Sequence, residues 1–415
     1  MTAVSLYFKV HQPYRMKKFK ASDVTICQSY EDPAADEENC NRLANNSYLQ
    51  ANEIIYQQII ENKGAFAVNY SISGTLIELM MRYRPDVIQS FKKLAATGRV
   101  EFLAETYYHS LASLHSRDEF QRQVSRHAEL ITRLFGKSPV VFRNTELIHN
   151  NRIAQLAGEM GLKGILCEGI ESILKGRSLN QLYNTPENAS HDQPVLLLRN
   201  STLSDDIAFR FDDENWSEHP LTPAKFAEWL HSHPAQTEMI NLFMDYDTFG
   251  VYKKADTGIF EFLESLPTEV LKKEGFHFST ASDLVENHIP KDIYNAPQTI
   301  SWNDPTGTAG AWAENVMQNN TLKKIYSIES IVQQSKCRKS IDLWGRLQAA
   351  DHFYYMSERK DKAETVKYLN PFPTAREAFQ NYSNMVTDFE ISLIQKEITH
   401  FKKYPVSKSL TGTLF

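Results

Sequence analysis

Over roughly its first 280 residues the chain alternates short, almost unbroken apolar runs with longer stretches whose apolar residues recur every three or four positions. The runs are VSLYFKV before His11, AFAVNY ending at Tyr70, VEFLAE ending at Glu105, VVFRN before Glu146, GILCE ending at Glu168, MINLFM before Asp245 and FHFS from Phe276. A continuous apolar run marks a strand buried on both faces, and parallel strands need a crossover between them, usually a helix. The intervening stretches supply that period: ANEIIYQQIIENKG, TLIELMMRYRPDVIQSFKKL, SRDEFQRQVSRHAELITRLFGK, LTPAKFAEWLHSH and GIFEFLESL. Ser116 followed by Glu119 reads as a capping box, and Thr222 before Pro223 as a helix start. Strand-then-helix repetition argues for an α/β fold on a parallel sheet. Runs that end in polar residues favour a barrel with its site at the C-terminal face.

The rest of the chain divides by composition. Residues 1–289 carry the alternation and are read as the barrel. Residues 290–310, rich in Pro, Gly, Asn and Asp, are read as a linker, and residues 311–415 as helical. In the last stretch Phe379, Tyr382, Val386, Phe389 and Leu393 trace one face of an amphipathic helix. The polar stretch from Arg15 to Asn46 reads as a long surface loop at the rim.

Charge and composition narrow the function. A formal charge of −6 without a basic stripe argues against nucleic acid as a partner. No run approaches 18 apolar residues and the first is too short for a signal sequence, so the protein is expected in the cytoplasm, off the membrane. Cys27, Cys40, Cys167 and Cys337 are scattered without a CxxC, which suits reduced thiols better than disulfides or zinc. HExxH, GxSxG and a glycine-rich phosphate loop are all missing, so neither a metal nor another cofactor is expected. His231 and His233 form the one His-x-His pair, at an expected helix C-terminus where imidazoles suit the helix dipole.

Two apolar runs lead into carboxylic acids, Glu146 after VVFRN and Asp245 after MINLFM, with Asp247 two residues on. Two acids from different strand ends of one barrel are what glycosyl transfer requires: one as nucleophile or base, one to protonate the leaving oxygen. By spacing alone, the same acids more readily suit a helix N-cap or a strand-end salt bridge than catalysis. His11 and His109, each just beyond a strand end, suit contacts to a sugar hydroxyl or a metal, or ordinary loop hydrogen bonds. Trp216, Trp302 and Trp312 can each stack on a sugar or simply pack.

Set in order, these segments resemble glycoside hydrolase family 57, and closest to its intracellular α-amylase-like branch. HQPYR from His11 resembles the family's first motif and GRVEFLAETYYHSL from Gly98 its second. FRNTELIHN from Phe142 resembles the third, which carries the nucleophile; FMDYDTFG from Phe243 resembles the fourth, which carries the general acid/base; LQAADHFYYMS from Leu347 resembles the fifth. The resemblance implies an incomplete (β/α)7 barrel followed by a C-terminal helical region that contributes to the site. It implies Glu146 as nucleophile and Asp245 as acid/base of a retaining enzyme, with carboxyl groups about 5 to 6 Å apart. It further implies that His11, Gln12, Glu105, His109, Asp247, Trp302, Asp351 and His352 contact an α-glucan or maltooligosaccharide. The chain departs from the family pattern at Asp247, where Glu is usual, at Val251 and Tyr252, and at Thr308 and Gly310.

The implied activity is α-amylase-like hydrolysis of α-1,4-glucosidic bonds. A 4-α-glucanotransferase, a catalytically weak glucan-binding protein and a metal-dependent carbohydrate deacetylase are the competing classes. The first two differ from the hydrolase in acceptor-site shape and in turnover, the third in its metal.

Overall fold

The computed structural model describes residues 1–25, 29–186, 193–302, 307–359 and 370–403. Cys27 and the 303–306 part of the expected linker lie outside the described residues. The chain forms two compact units, one from Met1–Arg15 and Asp32–Ala311, the other from Met16–Glu31 and the chain from Trp312 onward.

Ten strands build the first unit: β1 (Thr2–Val10), β2 (Val68–Ile72), β3 (Val100–Phe102), β4 (Val141–Arg143), β5 (Gly164–Glu168), β6 (Leu182–Asn184), β7 (Val195–Arg199), β8 (Met239–Asp245), β9 (Phe276–Phe278) and β10 (Asp292–Ile293). One sheet runs β3-β2-β1-β8 with β9 beside the start of β1, and all its pairs are parallel. The other runs β10-β6-β7-β5-β4, parallel except for β6 against β7. The sheets meet at two thin seams. At one, Ala104 pairs with Phe142 through Ala104 N to Val141 O (2.9 Å) and Arg143 N to Ala104 O (2.8 Å). At the other, Asn200 N donates to Asn241 O (2.8 Å) and Asn241 Nδ2 donates to Leu198 O (3.0 Å). Strands β1, β2, β3, β4, β5, β7 and β8 thus follow one another around a distorted seven-stranded barrel.

The expected strands are present, with one change of membership. β7, from the run VLLLR, completes the ring, whereas FHFS forms only the short β9 beside the start of β1. Leu196, Leu197 and Leu198 are buried on both faces, so β7 carries the same unbroken apolar signature as its neighbours. Inside the barrel, alternate residues of β1 and β8 face each other across a parallel register that pairs Ala3 with Met239, Tyr7 with Phe243 and Lys9 with Asp245. Leu103, Val141, Leu166 and Leu197 complete this apolar floor. The period of two then carries Lys9 and Asp245 to the same inward side, one layer above Tyr7 and Phe243.

The helices follow their start and stop signals. Ser116 caps Arg117–Phe135 by accepting from Glu119 N (3.2 Å), and Thr222 caps Pro223–His231 by accepting from Lys225 N (3.2 Å). His231 Nε2 bonds the Val270 carbonyl oxygen, a structural contact at that helix end. The stretch expected as one helix over 75–94 is two, Gly74–Tyr83 and Pro85–Ala95. Pro85 lacks an N–H and disfavours helical backbone in the residue before it, so the chain bends at Arg84. The expectation of an uninterrupted loop over 15–46 is corrected by the helix Pro33–Leu43. Asp32 caps it, Pro33 takes its first turn, and Asp36, Cys40 and Leu43 recur on one buried face.

The second unit contains helices Val316–Ser327, Glu329–Gln334, Arg338–Leu347, Ala350–Tyr355 and Ala375–Lys403. Along the last, Tyr382, Val386, Phe389 and Leu393 are buried and Phe379 partly so, the stripe read from the sequence. Among the described residues no helix is long and apolar enough to cross a membrane.

Candidate active site

The site lies at the C-terminal ends of the barrel strands, where β4 and β8 deliver Glu146 and Asp245. β4 ends at Arg143 and the chain turns through Thr145–Leu147 with Glu146 (φ 53, ψ 31) and Leu147 (φ 50) in the left-handed region. Such backbone costs a non-glycine residue about 1–3 kcal/mol, so neighbouring contacts must hold it. They do: Ser301 Oγ donates to the Glu146 carbonyl (2.9 Å) and Trp302 Nε1 to Glu146 Oε2 (2.8 Å). The segment expected as a linker therefore brings two residues onto the Glu146 turn, fixed there by pairing between Ile300 and His149.

The other carboxylate oxygen, Oε1, accepts from Lys9 Nζ (3.1 Å) and meets His109 Nε2 (2.7 Å). The same Lys9 ammonium lies 2.9 Å from Asp245 Oδ1. Because one nitrogen reaches both acids, those two oxygens cannot be farther apart than the sum of the two distances, 3.1 Å and 2.9 Å, or 6.0 Å. Asp245 ends β8, and its side chain is the more open of the pair at 22% exposed against 11% for Glu146.

Behind this pair is a buried charge network. His109, also left-handed at φ 53, stacks on His11 with centroids 3.8 Å apart, and His11 Nδ1 bonds Ser73 Oγ (2.7 Å). His109 Nδ1 approaches Glu105 at 3.5 Å, and Glu105 pairs with Arg143 at 3.2 Å, with both side chains fully buried. Burial alone would raise the pKa of Glu146, but Lys9 first, then His109 and Arg143, hold it well below the ordinary carboxylate range. Glu105 is likewise pulled down to about 2 against its burial, by the hydrogen bond to His109 and the charge of Arg143. Burial would lower His109, and Arg143 works in the same direction. The hydrogen bonds to Glu105 and Glu146 outweigh both and raise it, which favours the imidazolium.

Asp247 has a different environment from the one a continuing strand would give. β8 stops at Asp245 and Tyr246–Thr248 form a 3-10 turn, so Asp247 points into the protein. Tyr48 donates to Asp247 Oδ1 (2.7 Å) and Gln12 Nε2 to Oδ2 (3.0 Å). Gln12 is itself held through Oε1 by Arg15 (3.0 Å) and Asn39 (3.2 Å). Burial raises the pKa of Asp247 to about 6, with the Tyr48 bond opposing and the Asp245 charge adding. Three residues on, Gly250 (φ +95) packs so tightly that a Cβ would sit 1.8 Å from the Asn46 carbonyl oxygen. That closeness admits no side chain.

Of the expected site residues, the first unit gathers His11, Gln12, Glu105, His109, Glu146, Asp245, Asp247 and Trp302 into this one network. Glu105 and His109 are buried beneath Glu146, and Gln12 and Asp247 are committed to each other. Trp302 has the Lys9 ammonium 5.2 Å and the Arg199 guanidinium 5.3 Å from its ring centroid. Asp351 and His352 belong to the helix Ala350–Tyr355 of the second unit, where His352 Nε2 meets the Arg346 carbonyl oxygen (3.2 Å). Thr308 pairs with Ile300. Among the described residues no group of His, Cys, Asp and Glu is arranged to hold a metal.

Sequence reasoning missed Lys9, Arg143, Ser301, Tyr48 and Arg199. Lys9 carried a signal: it is the one charged residue in the apolar β1. Arg143 and Arg199 end the apolar runs of β4 and β7 as acids end their neighbours, and Arg199 Nε donates to the Phe243 carbonyl on β8 (3.0 Å). Ser301 and Tyr48 carried none, since nothing local marks them.

Residues 5–297 match the family model described as Glycosyl hydrolase family 57. A Methanocaldococcus jannaschii protein described as "Putative alpha-amylase" is 40% identical over 400 residues, covering 93% of this chain and 84% of that protein. Among solved structures, the 4-alpha-glucanotransferase of Thermococcus litoralis superposes with a TM-score of 0.67 at 15% identity, over 92% of this chain and 60% of that one. A branching enzyme from Thermococcus kodakaraensis superposes with a TM-score of 0.63 at 13% identity, over 95% and 93%. At such identities the structural likeness speaks for the fold.

Proposed function

The chain belongs to glycosyl hydrolase family 57, and we propose that it is a retaining, α-amylase-like hydrolase of α-1,4-glucans with Glu146 as nucleophile and Asp245 as general acid/base. The observation that carries the two roles is the single lysine between the acids. Oxygens no more than 6.0 Å apart suit a retaining pair, whose carboxyl groups lie about 5–5.5 Å apart, and leave too little room for the water of an inverting pair at about 6.5–9.5 Å.

The local geometry supports the division of labour. Glu146 is held ionised, the state a nucleophile needs, and Asp245 is the more open of the two. Oε1 of Glu146 already faces two donors and Oε2 one, so the free lone pair for attack is on Oε2. In the first step Oε2 bonds to the anomeric carbon as the glycosidic C–O bond breaks, and the Asp245 proton passes to the leaving oxygen. In the second, the Asp245 carboxylate takes a proton from water, whose oxygen bonds to the anomeric carbon as the Glu146 ester bond breaks. The relative named as an alpha-amylase supports water as the acceptor.

Incubation with maltooligosaccharides of defined length, followed by chromatography and a reducing-end assay, tests this. New reducing ends that vanish in E146Q and D245N are expected. Redistribution of chain lengths without new reducing ends would replace hydrolysis by transfer, and binding without turnover would refute an enzyme.

A further inference from the structure

Lys9 stands out as the one cation of β1 and β8, whose other residues are apolar or neutral except for Asp245. Its position is not accidental in the sheet: the register sets Lys9 directly beside Asp245, and the turn after β4 brings Glu146 to its other side. Burial by itself would push the ammonium toward the neutral amine, at a cost of several kcal/mol for a charge left unpaired. The charges of Asp245 and then Glu146 outweigh that, while Arg143 opposes them, and Lys9 ends above its ordinary value. The amine is therefore a permanent cation at working pH.

We propose that Lys9 is a positioning residue of the reaction, resting on the reading of Glu146 and Asp245 above: its ammonium sets the spacing of the two acids and keeps Glu146 ionised on the acid side of the working range. Three observations carry this. The nitrogen contacts both acids at once, so their separation is set by one group rather than by two loops. The lysine comes from β1, the strand that pairs with β8 over seven consecutive positions, so it is mounted on the sheet and not on a loop. Its side chain rises from the floor of the barrel beside Trp302, which leaves the outer side of the pair for a sugar.

The sign of the effect follows from the charges that face the pair. Around Lys9 are Asp245 and Asp247 from the β8 end, Glu146 and Arg143 from the β4 end, and His109 on the far side of Oε1, with Glu105 behind it. A neighbouring cation favours the ionised form of an acid, so Lys9 makes Glu146 give up its proton at lower pH. The acid limb of kcat/KM reports ionisation of the nucleophile. Removing the cation should move that limb to higher pH, by about 1 unit or more for an opposite charge this close. A lysine that served only to fill space would lower activity without moving it.

The test is the pH profile of maltooligosaccharide hydrolysis in the wild type, K9M, K9Q and K9R, with thermal melting as a check on folding. An acid limb shifted upward in the neutral variants, with K9R holding the wild-type position, is the expected result. An unmoved acid limb in a folded neutral variant, or a shift in K9R as large as in K9M, would overturn the proposal. So would failure of both neutral variants to fold while K9R folds, since that assigns the lysine to stability. E146Q and D245N in the same assay separate the two levels: if either keeps full activity the assignment of the acids falls, whereas their inactivity beside an unmoved K9M acid limb removes the Lys9 role alone.

Discussion

Glu105→Gln isolates the buried ion pair on which the surroundings of Glu146 rest. Glu105 and Arg143 are both fully buried, 3.2 Å apart, and the glutamate's pKa is held at about 2. Relative to an ordinary glutamate near 4.3, a depression of roughly two units at 1.36 kcal/mol each contributes about 3 kcal/mol of folding stability at neutral pH. An independent route gives the same size: removing one partner of a buried pair costs about 3–5 kcal/mol, because the other charge is left uncompensated. Urea denaturation followed by tryptophan fluorescence should therefore show E105Q less stable than the wild type by about 3 kcal/mol at pH 7. The pH dependence adds a signature. A depressed folded-state pKa gives stability that is full above the unfolded value and is lost as pH falls toward the folded one. The gap between wild type and E105Q should then narrow as pH drops from about 4.3 toward about 2. In E105Q/R143M, where neither charge remains, part of the loss should return. A deficit under about 1 kcal/mol at pH 7, or one that widens on acidification, would refute the reasoning.

Three further outcomes are expected. Asp245→Asn removes proton transfer and should lower kcat by about 10²–10⁴-fold on unactivated maltooligosaccharides, while a substrate with a good leaving group recovers much of its first step. Trp302→Phe keeps the ring against Phe243 but deletes the donor to Glu146 Oε2. A hydrogen bond to a charged group is worth about 1.5 kcal/mol or more, so steady-state kinetics should show roughly a tenfold fall in kcat/KM. Gly250→Ala forces a Cβ against the Asn46 carbonyl at positive φ, and should cost on the order of 3 kcal/mol in a denaturation experiment.

The family's shared Asp-x-acid-x-Phe-Gly motif takes on a split role here. Asp245 lies beside Lys9, but Asp247 faces Tyr48 and Gln12, and Gly250 keeps the following turn against Asn46. The shorter Asp in place of the usual Glu therefore stands in a packed, hydrogen-bonded interior position. Its raised pKa, near 6, makes the folded protein hold that proton more tightly than the unfolded chain. The contribution of Asp247 to stability consequently rises as pH falls from about 6 toward the ordinary Asp value, opposite in sign to Glu105.

What the sequence determined by itself was everything that repeats or terminates locally. Strands announced themselves as unbroken apolar runs because both of their faces are buried, and helices by period and caps at Ser116 and Thr222. Glu146 and Asp245 were legible because an acid at the end of such a run must stand at the rim. The strand β7 carried the same signal in VLLLR and was overlooked, while the helix Pro33–Leu43 was hidden by a polar composition although Asp32 and Pro33 marked its start. The tertiary structure alone decided which charges meet. Lys9 and Glu146 are 137 positions apart and Trp302 and Glu146 156, so no local spacing encodes their contact. The parallel register of β1 with β8 and the seams that close the ring bring these groups within hydrogen-bond reach. In a buried setting, where water no longer screens charge, that proximity holds Glu146 ionised.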